Sequence, residues 1–297
     1  MSQNIQDKVT VPVVRGHKAS AGGASTERLV VLTAYDHPTA VALDRAGVDI
    51  LLVGDSLGMV VLGHRSTLPV TLEMMLHHTA AVARAVTRAL VVADMPWLTY
   101  HTGPADAVRH AGRLVQEAGA EAVKLEGGRA RLEVVRALVN AEIPVMGHLG
   151  LTPQSVHVLG GYRVQGKKLS QAEALVDDAR ALEEAGVFSI VLEGMPGAVG
   201  RLVTQAVSVP TIGIGAGPDC DGQVLVLHDL IGLGETTPPR FVRRYADAGR
   251  LITDAAAAFA RDVRSGDFPS ERESYPTPPG LEERLAPPPG QGARRRG

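Results

Sequence analysis

The sequence is short of cysteine: Cys220 is the only one in 297 residues. A single thiol excludes a disulfide framework and a thiolate metal cage, and it is typical of a protein from a reducing compartment. The chain also lacks an apolar run of the roughly 20 residues that a membrane helix needs. Its start, MSQNIQDKVT, has no apolar signal-peptide core, and the formal net charge of −2 does not indicate nucleic-acid binding. We therefore expect a cytoplasmic protein without a membrane or nucleic-acid partner.

The composition, 45% hydrophobic and 21% charged, is that of an ordinary globular enzyme. An α/β barrel takes about 250 residues as a single domain, and polar segments flank a range of that size here. Residues 1–27 are rich in glycine and serine and predict a flexible arm. Residues 277–297 are rich in proline and glycine and predict a disordered tail. The predicted catalytic domain is residues 28–276.

Strand and helix signals alternate between these two segments. Thr71 is predicted to cap one helix and Ser170–Glu173 to form the capping box of another, while Gly119 is expected to end a third. Strands are expected near residues 29–33, 50–55, 90–94, 122–126, 143–148, 189–193, 211–214 and 224–227. Such alternation implies parallel pairing through right-handed crossovers. Eight units of this kind predict an α/β fold closed into a (β/α)8 TIM barrel.

Five of the predicted strands end in an ionisable side chain. These side chains are Asp55, Asp94, Glu126, His148 and Glu193. Because the carboxyl ends of parallel strands meet at one face of a barrel, we expect them to form a single site.

Three of these side chains, Asp55, Asp94 and Glu126, are carboxylates, and an all-oxygen set of ligands selects Mg²⁺ or a similar hard cation. Such an ion typically takes one or two protein carboxylates, and a third can bind through water. Taken singly, each has a local alternative: Asp55 as a helix cap, and Glu126 as the partner of a neighbouring arginine. Taken together they predict a metal site, because carboxylates crowded at one mouth repel each other.

Lys124 and Glu126 are two residues apart in one strand, so both side chains point to the same side. A lysine inside a barrel requires an anionic partner. That partner is either Glu126 itself, in an internal salt bridge, or the carboxylate or developing enolate of a substrate.

Glu193 ends the sixth strand, across the ring from Asp55, where a carboxylate is well placed to remove a proton from a metal-bound substrate. The alternative is a helix N-cap. His148 lies between glycines that allow close approach, which favours a substrate contact over a core histidine. The glycine-rich stretch 213–217 fits an anion-binding turn or simply a tight turn. Cys220 lies in a loop between aspartates and is assigned no catalytic role.

Long motifs along the chain resemble one known family. VGDSLGMVVLG, STLPVT, AVKLEGG, PVMGHLGLTPQS, LEGMP and GIGAGPDCDGQVLVLHDLIGL occur in the order found in ketopantoate hydroxymethyltransferases. The resemblance extends from about Leu32 to about Pro276. It implies a TIM barrel of the phosphoenolpyruvate mutase and isocitrate lyase type, and a homo-oligomer that is commonly a decamer.

The resemblance also implies an activity: one-carbon transfer from 5,10-methylenetetrahydrofolate to 3-methyl-2-oxobutanoate, giving 2-dehydropantoate for pantothenate and coenzyme A biosynthesis. In that reaction Mg²⁺ stabilises an enolate. The residues that match the family's functional positions are Asp55, Asp94 and Glu126 for the metal, Asp55, Ser56, Asp94 and Lys124 for the keto acid, Glu193 for the base, and His148 for the histidine of the family motif.

Two stretches depart from the usual family pattern. Trp97 and Leu98 replace a Phe-Gly pair and are expected to reshape the pocket wall, and His64-Arg65 stands where Tyr-Asp is frequent. Two alternative functions are a Mg²⁺-dependent carbon–carbon lyase on the same barrel and a non-catalytic keto-acid-binding protein. Such lyases use a cysteine in a mobile loop, which the position of Cys220 does not match.

Overall fold

The computed structural model describes residues 7–18, 27–234 and 238–285. Eight parallel strands pair in sequence order, and the first also pairs with the eighth, so the sheet closes into a barrel. The strands are β1 Leu29–Thr33, β2 Ile50–Val53, β3 Leu90–Asp94, β4 Ala122–Glu126, β5 Val145–Gly150, β6 Ser189–Glu193, β7 Thr211–Ile214 and β8 Gly222–Leu225. The predicted (β/α)8 barrel is confirmed.

The chain divides into two compact units, Met1–Ala246 and Asp247–Gly297. The helices of the first unit are α1 Val11–Arg15, α2 His37–Arg45, α3 Leu57–Val60, α4 Leu72–Ala83, α5 Pro104–Gln116, α6 Leu132–Asn140, α7 Val156–Leu159, α8 Leu169–Glu184, α9 Gly197–Ala206 and α10 Leu227–Ile231. The second unit contains α11 Ala248–Ser265 and α12 Leu281–Leu285. No helix in the described part of the chain is long and apolar enough to cross a membrane.

Helix and strand boundaries differ from the predictions in four places. Strand β2 ends at Val53 rather than at Asp55, so Asp55 lies in the turn that follows it. Thr71 does cap α4, since its hydroxyl accepts from the Met74 amide at 3.2 Å. The predicted capping box Ser170–Glu173 is wrong, because α8 begins at Leu169 after the N-cap Lys168, whose amide donates to Gln171 Oε1 at 3.2 Å. Strand β5 continues to Gly150, which places His148 inside the strand. Strand β8 lies two residues earlier than expected. Boundaries of this kind depend on tertiary pairing that local sequence signals do not contain.

Alternating strand residues explain how the polar side chains reach the interior. The apolar cluster inside the barrel contains Leu90 and Val92 of β3, Ala122 of β4 and Met146 of β5. Side chains two residues apart point to the same face of a strand, so the next inward positions belong to Asp94, Lys124 and His148. The barrel is therefore filled by apolar side chains below and by charged ones at the carboxyl ends of its strands. The set of inward positions fixes where the site lies.

The first described segment, residues 7–18, is packed against the amino-terminal end of the barrel. Val14 of α1 is fully buried. Lys8 Nζ lies 2.7 Å from a Glu121 carboxylate oxygen, and Lys18 Nζ lies 2.9 Å from Asp221 Oδ2. This part of the chain differs from the predicted flexible arm, because its valines and lysines find partners among residues next to distant strand starts. The rest of the predicted arm, and residues 286–297 of the predicted tail, lie outside the described residues.

Asp44, near the end of α2, accepts hydrogen bonds from the backbone amides just before β3. Its carboxylate accepts from the amides of Thr87, Arg88 and Ala89 at 2.9, 3.1 and 2.7 Å. Burial alone would raise the pKa of this carboxyl, but the hydrogen bonds from Ala89 and Thr87 prevail and lower the pKa below its ordinary value. The ionised form of Asp44 therefore stabilises the fold.

We expect Asp44→Asn to lower the free energy of unfolding by about 2 kcal/mol at neutral pH, because charge-assisted hydrogen bonds are lost. The carboxylate contributes stability above the unfolded-state pKa, near 4, and loses it as the pH falls through the lower folded-state pKa. The difference between wild type and variant in urea unfolding should therefore shrink below about pH 4. Asp177→Asn, at an exposed position, serves as the control. A pH-independent difference would contradict this role.

Candidate active site

All the predicted site residues line one cavity at the carboxyl ends of the strands. The cavity has a volume of about 1540 Å³. Asp55, Asp94, Lys124 and Glu126 are each only 4–5% exposed. The residues that the structure brings together here are Asp55, Ser56, Asp94, Lys124, Glu126, His148 and Glu193. Their roles in catalysis stay predictions.

The turn after β2 carries Asp55 and Ser56 to this cavity. The Asp55 amide donates to Asp94 Oδ2 at 3.1 Å, which ties the ends of β2 and β3 together. The Ser56 hydroxyl lies 2.8 Å from the hydroxyl of the buried Tyr35. The N-cap of α3 is Ser56, without a side-chain cap bond, so Asp55 is not the helix cap that its position alone allowed. Its carboxylate instead faces the cavity.

Lys124 pairs with Asp94 rather than with its strand neighbour Glu126. Its Nζ lies 2.9 Å from Asp94 Oδ1. Burial lowers the pKa of Lys124, but the charges of Asp94 and Glu126 prevail and raise the pKa above its ordinary value. Lys124 therefore presents a permanent positive charge at the floor of the cavity.

One lysine does not balance three buried carboxylates. Burial and then the charge of Asp94 raise the pKa of Asp55 to about 7. Burial and then the charge of Asp55 raise the pKa of Glu126 well above its ordinary value. Burial and mutual repulsion both disfavour the ionised carboxylates, and a bound cation would offset both effects. The oxygen-only donor set therefore fits a hard divalent ion such as Mg²⁺.

Within residues 7–18, 27–234 and 238–285, no three or more His, Cys, Asp or Glu side chains are already grouped so that they could hold a metal ion.

His148 connects Lys124 with Glu193. Its Nδ1 lies 3.4 Å from Lys124 Nζ, and its Nε2 lies 3.2 Å from Glu193 Oε2, although the ring N–H does not point directly at that oxygen. Burial and then the charge of Lys124 lower the pKa of His148, so the ring is neutral. Because an ammonium faces Nδ1, that nitrogen accepts and Nε2 carries the proton on the side of Glu193. Helix α9 has Pro196 as its N-cap, so Glu193 is not the cap.

Sequence reasoning missed Gln154 and Tyr100, which hold the carboxylates in place. Gln154 Nε2 donates to Asp55 Oδ2 at 2.8 Å, and the Gln154 amide donates to Glu126 Oε2 at 3.0 Å. Tyr100 Oη donates to Gln154 Oε1 at 2.5 Å. Gln154 stands in the motif PVMGHLGLTPQS, which was the available signal. A neutral amide in a loop gives no periodicity or charge pattern that points to it.

Three other expectations can be compared with the structure. Trp97 and Leu98 are 42% and 50% exposed, and neither lines the cavity, so the prediction that they reshape its wall is wrong. His64 and Arg65 do line it. Cys220 is buried away from the cavity, and burial raises the pKa of its thiol, which does not suit a nucleophile.

Comparisons with known proteins agree with the geometry. The family model described as ketopantoate hydroxymethyltransferase matches residues 8–271. The chain is 54% identical over 252 residues to 3-methyl-2-oxobutanoate hydroxymethyltransferase of Geobacter metallireducens, covering 85% of this chain and 94% of that protein. It is also 54% identical over 270 residues to the enzyme of the same name from Moorella thermoacetica, covering 91% and 98%.

Solved structures show the same fold at low identity. The crystal structure of phosphonopyruvate hydrolase in complex with oxalate and Mg²⁺ aligns with a TM-score of 0.56 at 15% identity, covering 92% of this chain and 93% of that one. The structure of 2,3-dimethylmalate lyase, a PEP mutase/isocitrate lyase superfamily member, aligns with a TM-score of 0.53 at 18% identity, covering 83% and 84%. At this level of identity the likeness concerns the fold alone.

Proposed function

Because this chain belongs to the ketopantoate hydroxymethyltransferase family, we propose that it transfers a hydroxymethyl group from 5,10-methylenetetrahydrofolate to 3-methyl-2-oxobutanoate, giving 2-dehydropantoate. The observation that carries this proposal is the identity of more than half over nearly the full length of relatives with that activity in their name. The chain is thus a hydroxymethyltransferase of the pantothenate pathway. The cavity at the carboxyl ends of the strands would supply the chemistry.

Asp55, Asp94 and Glu126 would hold a Mg²⁺ ion. When bound, the ion supplies Lewis acidity toward the carboxylate and keto oxygens of the substrate. The burial and mutual repulsion that raise the pKa of Asp55 and Glu126 support this proposal, as does the oxygen-only donor set.

Lys124 and Ser56 would receive the keto acid. Lys124 carries its charge at the floor of the cavity, where it attracts the substrate carboxylate and the oxygen that becomes negative in the enolate. The Ser56 hydroxyl is held by Tyr35 at 2.8 Å and supplies a further hydrogen bond. These groups would orient C3 of the substrate toward Glu193.

Glu193 would remove the proton from C3. The electrons of the broken C3–H bond form the C2–C3 double bond of the enolate, and the proton stays on the Glu193 carboxyl. His148 Nε2 lies 3.2 Å from Oε2 of this carboxyl. The enolate carbon would then bond to the folate-borne methylene carbon as one of its two carbon–nitrogen bonds breaks, and the released nitrogen takes up a proton. Water would replace the second nitrogen on this carbon, its oxygen becoming the hydroxyl group and one of its protons passing to the departing folate nitrogen.

The size of the cavity supports a second substrate. Its 1540 Å³ exceeds the roughly 300–1,000 Å³ of a pocket for one drug-sized ligand. Met59, Tyr162 and Phe241 give part of the lining an apolar character, unlike the charged floor. A small keto acid at the floor therefore leaves room for the folate donor.

The remaining proposals are a homo-oligomer, which the resemblance suggests to be a decamer, and a cytoplasmic location. Native mass spectrometry of the full chain tests the first directly. A monomer under conditions of full activity would contradict it.

Metal removal should abolish turnover. We expect a chelator to lower formation of 2-dehydropantoate by at least about 100-fold, because a Lewis acid is worth several kcal/mol, and added Mg²⁺ to restore it. Asp94→Asn should also lose Mg²⁺ binding in isothermal titration calorimetry, whereas Cys220→Ser should retain both binding and turnover.

The same assay distinguishes the alternatives. Cleavage of an isocitrate-like substrate without folate would favour the carbon–carbon lyase. Binding of the keto acid without turnover, with Mg²⁺ and the folate donor supplied, would favour a non-catalytic binding protein.

A further inference from the structure

Gln154 bonds to two of the three buried carboxylates at once. It lies in the short turn Pro153–Ser155 after β5 and is 7% exposed. Its side-chain Nε2 donates to Asp55 Oδ2 at 2.8 Å, and its backbone amide donates to Glu126 Oε2 at 3.0 Å. Asp55 follows β2 and Glu126 ends β4, so one loop residue connects side chains from two separate strands. A substitution at Gln154 therefore removes the side-chain bond to Asp55 and leaves the backbone amide that faces Glu126.

The orientation of the Gln154 amide is fixed by its other contacts. Nε2 also donates to the Met95 carbonyl at 3.0 Å, and Oε1 accepts from Tyr100 Oη at 2.5 Å. In the flipped orientation, Oε1 would face both the Asp55 carboxylate and the Met95 carbonyl, and all three are acceptors. Tyr100 is itself held, since its oxygen accepts from the Glu126 amide at 3.3 Å and its ring is 1% exposed. The amide thus has one arrangement that satisfies every polar atom.

The two hydrogen bonds from Gln154 restrict the rotation of the Asp55 and Glu126 carboxylates, which repel their neighbours. Asp55 and Glu126 share one mouth with Asp94, and in isolation their carboxylates would turn apart. Outer hydrogen-bond partners that orient such oxygens typically change metal affinity by 10- to 100-fold when mutated. We propose that Gln154 is a positioning residue, aligned by Tyr100, which holds Asp55 and Glu126 in the orientation that accepts a divalent cation. This inference rests on the proposed function only for the presence of that cation.

The direct test measures cation affinity without turnover. Mn²⁺ binding to the full-length chain is followed by electron paramagnetic resonance in the absence of substrates, with thermal unfolding recorded in parallel. Gln154→Glu replaces the donor that faces Asp55 by an oxygen, and Gln154→Met removes the side-chain hydrogen bonds at similar volume, while the backbone amide that faces Glu126 remains in both variants. We expect about 10- to 100-fold weaker Mn²⁺ binding in both variants. Gln205→Glu, at an exposed position on α9, should bind as wild type does.

If the Gln154 variants do not fold, Tyr100→Phe tests the same positioning role. It removes only the hydroxyl that orients the amide, and we expect it to weaken Mn²⁺ binding several-fold, in the same direction. Wild-type affinity in folded Gln154 or Tyr100 variants, with or without a change in unfolding temperature, would overturn the positioning role and leave the proposed function intact. Failure of the wild-type chain to bind Mn²⁺ would overturn both, and it is seen before any variant is compared.

Discussion

Glu193→Gln is expected to lose exchange of the C3 proton of 3-methyl-2-oxobutanoate with solvent by about 10²- to 10⁴-fold, the usual contribution of a positioned general base. Glutamine keeps the shape of the side chain but has no basic oxygen to take the proton. Binding of the keto acid and of Mg²⁺ should remain, because Asp55, Asp94 and Lys124 are unchanged. Proton NMR in D₂O, with Mg²⁺ and without folate, measures the exchange directly.

The omission of folate separates proton removal from group transfer. Glu184→Gln, at an exposed position near the end of α8, is the matched control and should exchange at the wild-type rate. If Glu193→Gln also exchanged at that rate, Glu193 would not be the base. Loss of keto-acid binding in this variant would instead indicate that Glu193 holds the substrate.

Lys124→Met should lower kcat/KM by about 10²- to 10³-fold, as removal of one group that stabilises an oxyanion does. It should also destabilise the fold by about 3–5 kcal/mol without added metal, because removing one partner leaves the buried Asp94 charge uncompensated. Mg²⁺ should therefore raise the unfolding temperature of this variant more than that of wild type. Urea and thermal unfolding, with and without Mg²⁺, measure these effects.

Lys167→Met provides the control, since Lys167 is exposed in the loop before α8. It should change neither stability nor activity. If Mg²⁺ raised the unfolding temperature of wild type and of Lys124→Met equally, the ion would not neutralise the same buried carboxylates as Lys124 does.

The sequence was sufficient for the barrel and for the residues at its mouth. Apolar strands that end in Asp94, Glu126 or Glu193 are visible by inspection, and the alternation of side chains along β4 already places Lys124 beside Glu126. Parallel strands in a closed ring then leave only one face for these groups. The prediction succeeded there because each step depends on local pattern and on topology.

Other features depend on contacts that no local pattern contains. The pairing of Lys124 with Asp94, rather than with Glu126, follows from the register between β3 and β4. Gln154 acquires its importance only when the loop after β5 folds over Asp55. Residues 7–18 were predicted to be flexible from composition alone, whereas Lys8 and Lys18 find partners more than a hundred residues away.

The central claim is that side chains from separate strands surround one cation at the mouth of the barrel. A crystal structure of the full-length protein with Mn²⁺ and 2-dehydropantoate, using the anomalous signal of the metal, tests it most directly. The account predicts one anomalous peak within bonding distance of oxygens of Asp55 and Asp94, with the keto and carboxylate oxygens of the product completing the coordination. A peak elsewhere on the chain, or product bound at this mouth without any metal, would contradict it.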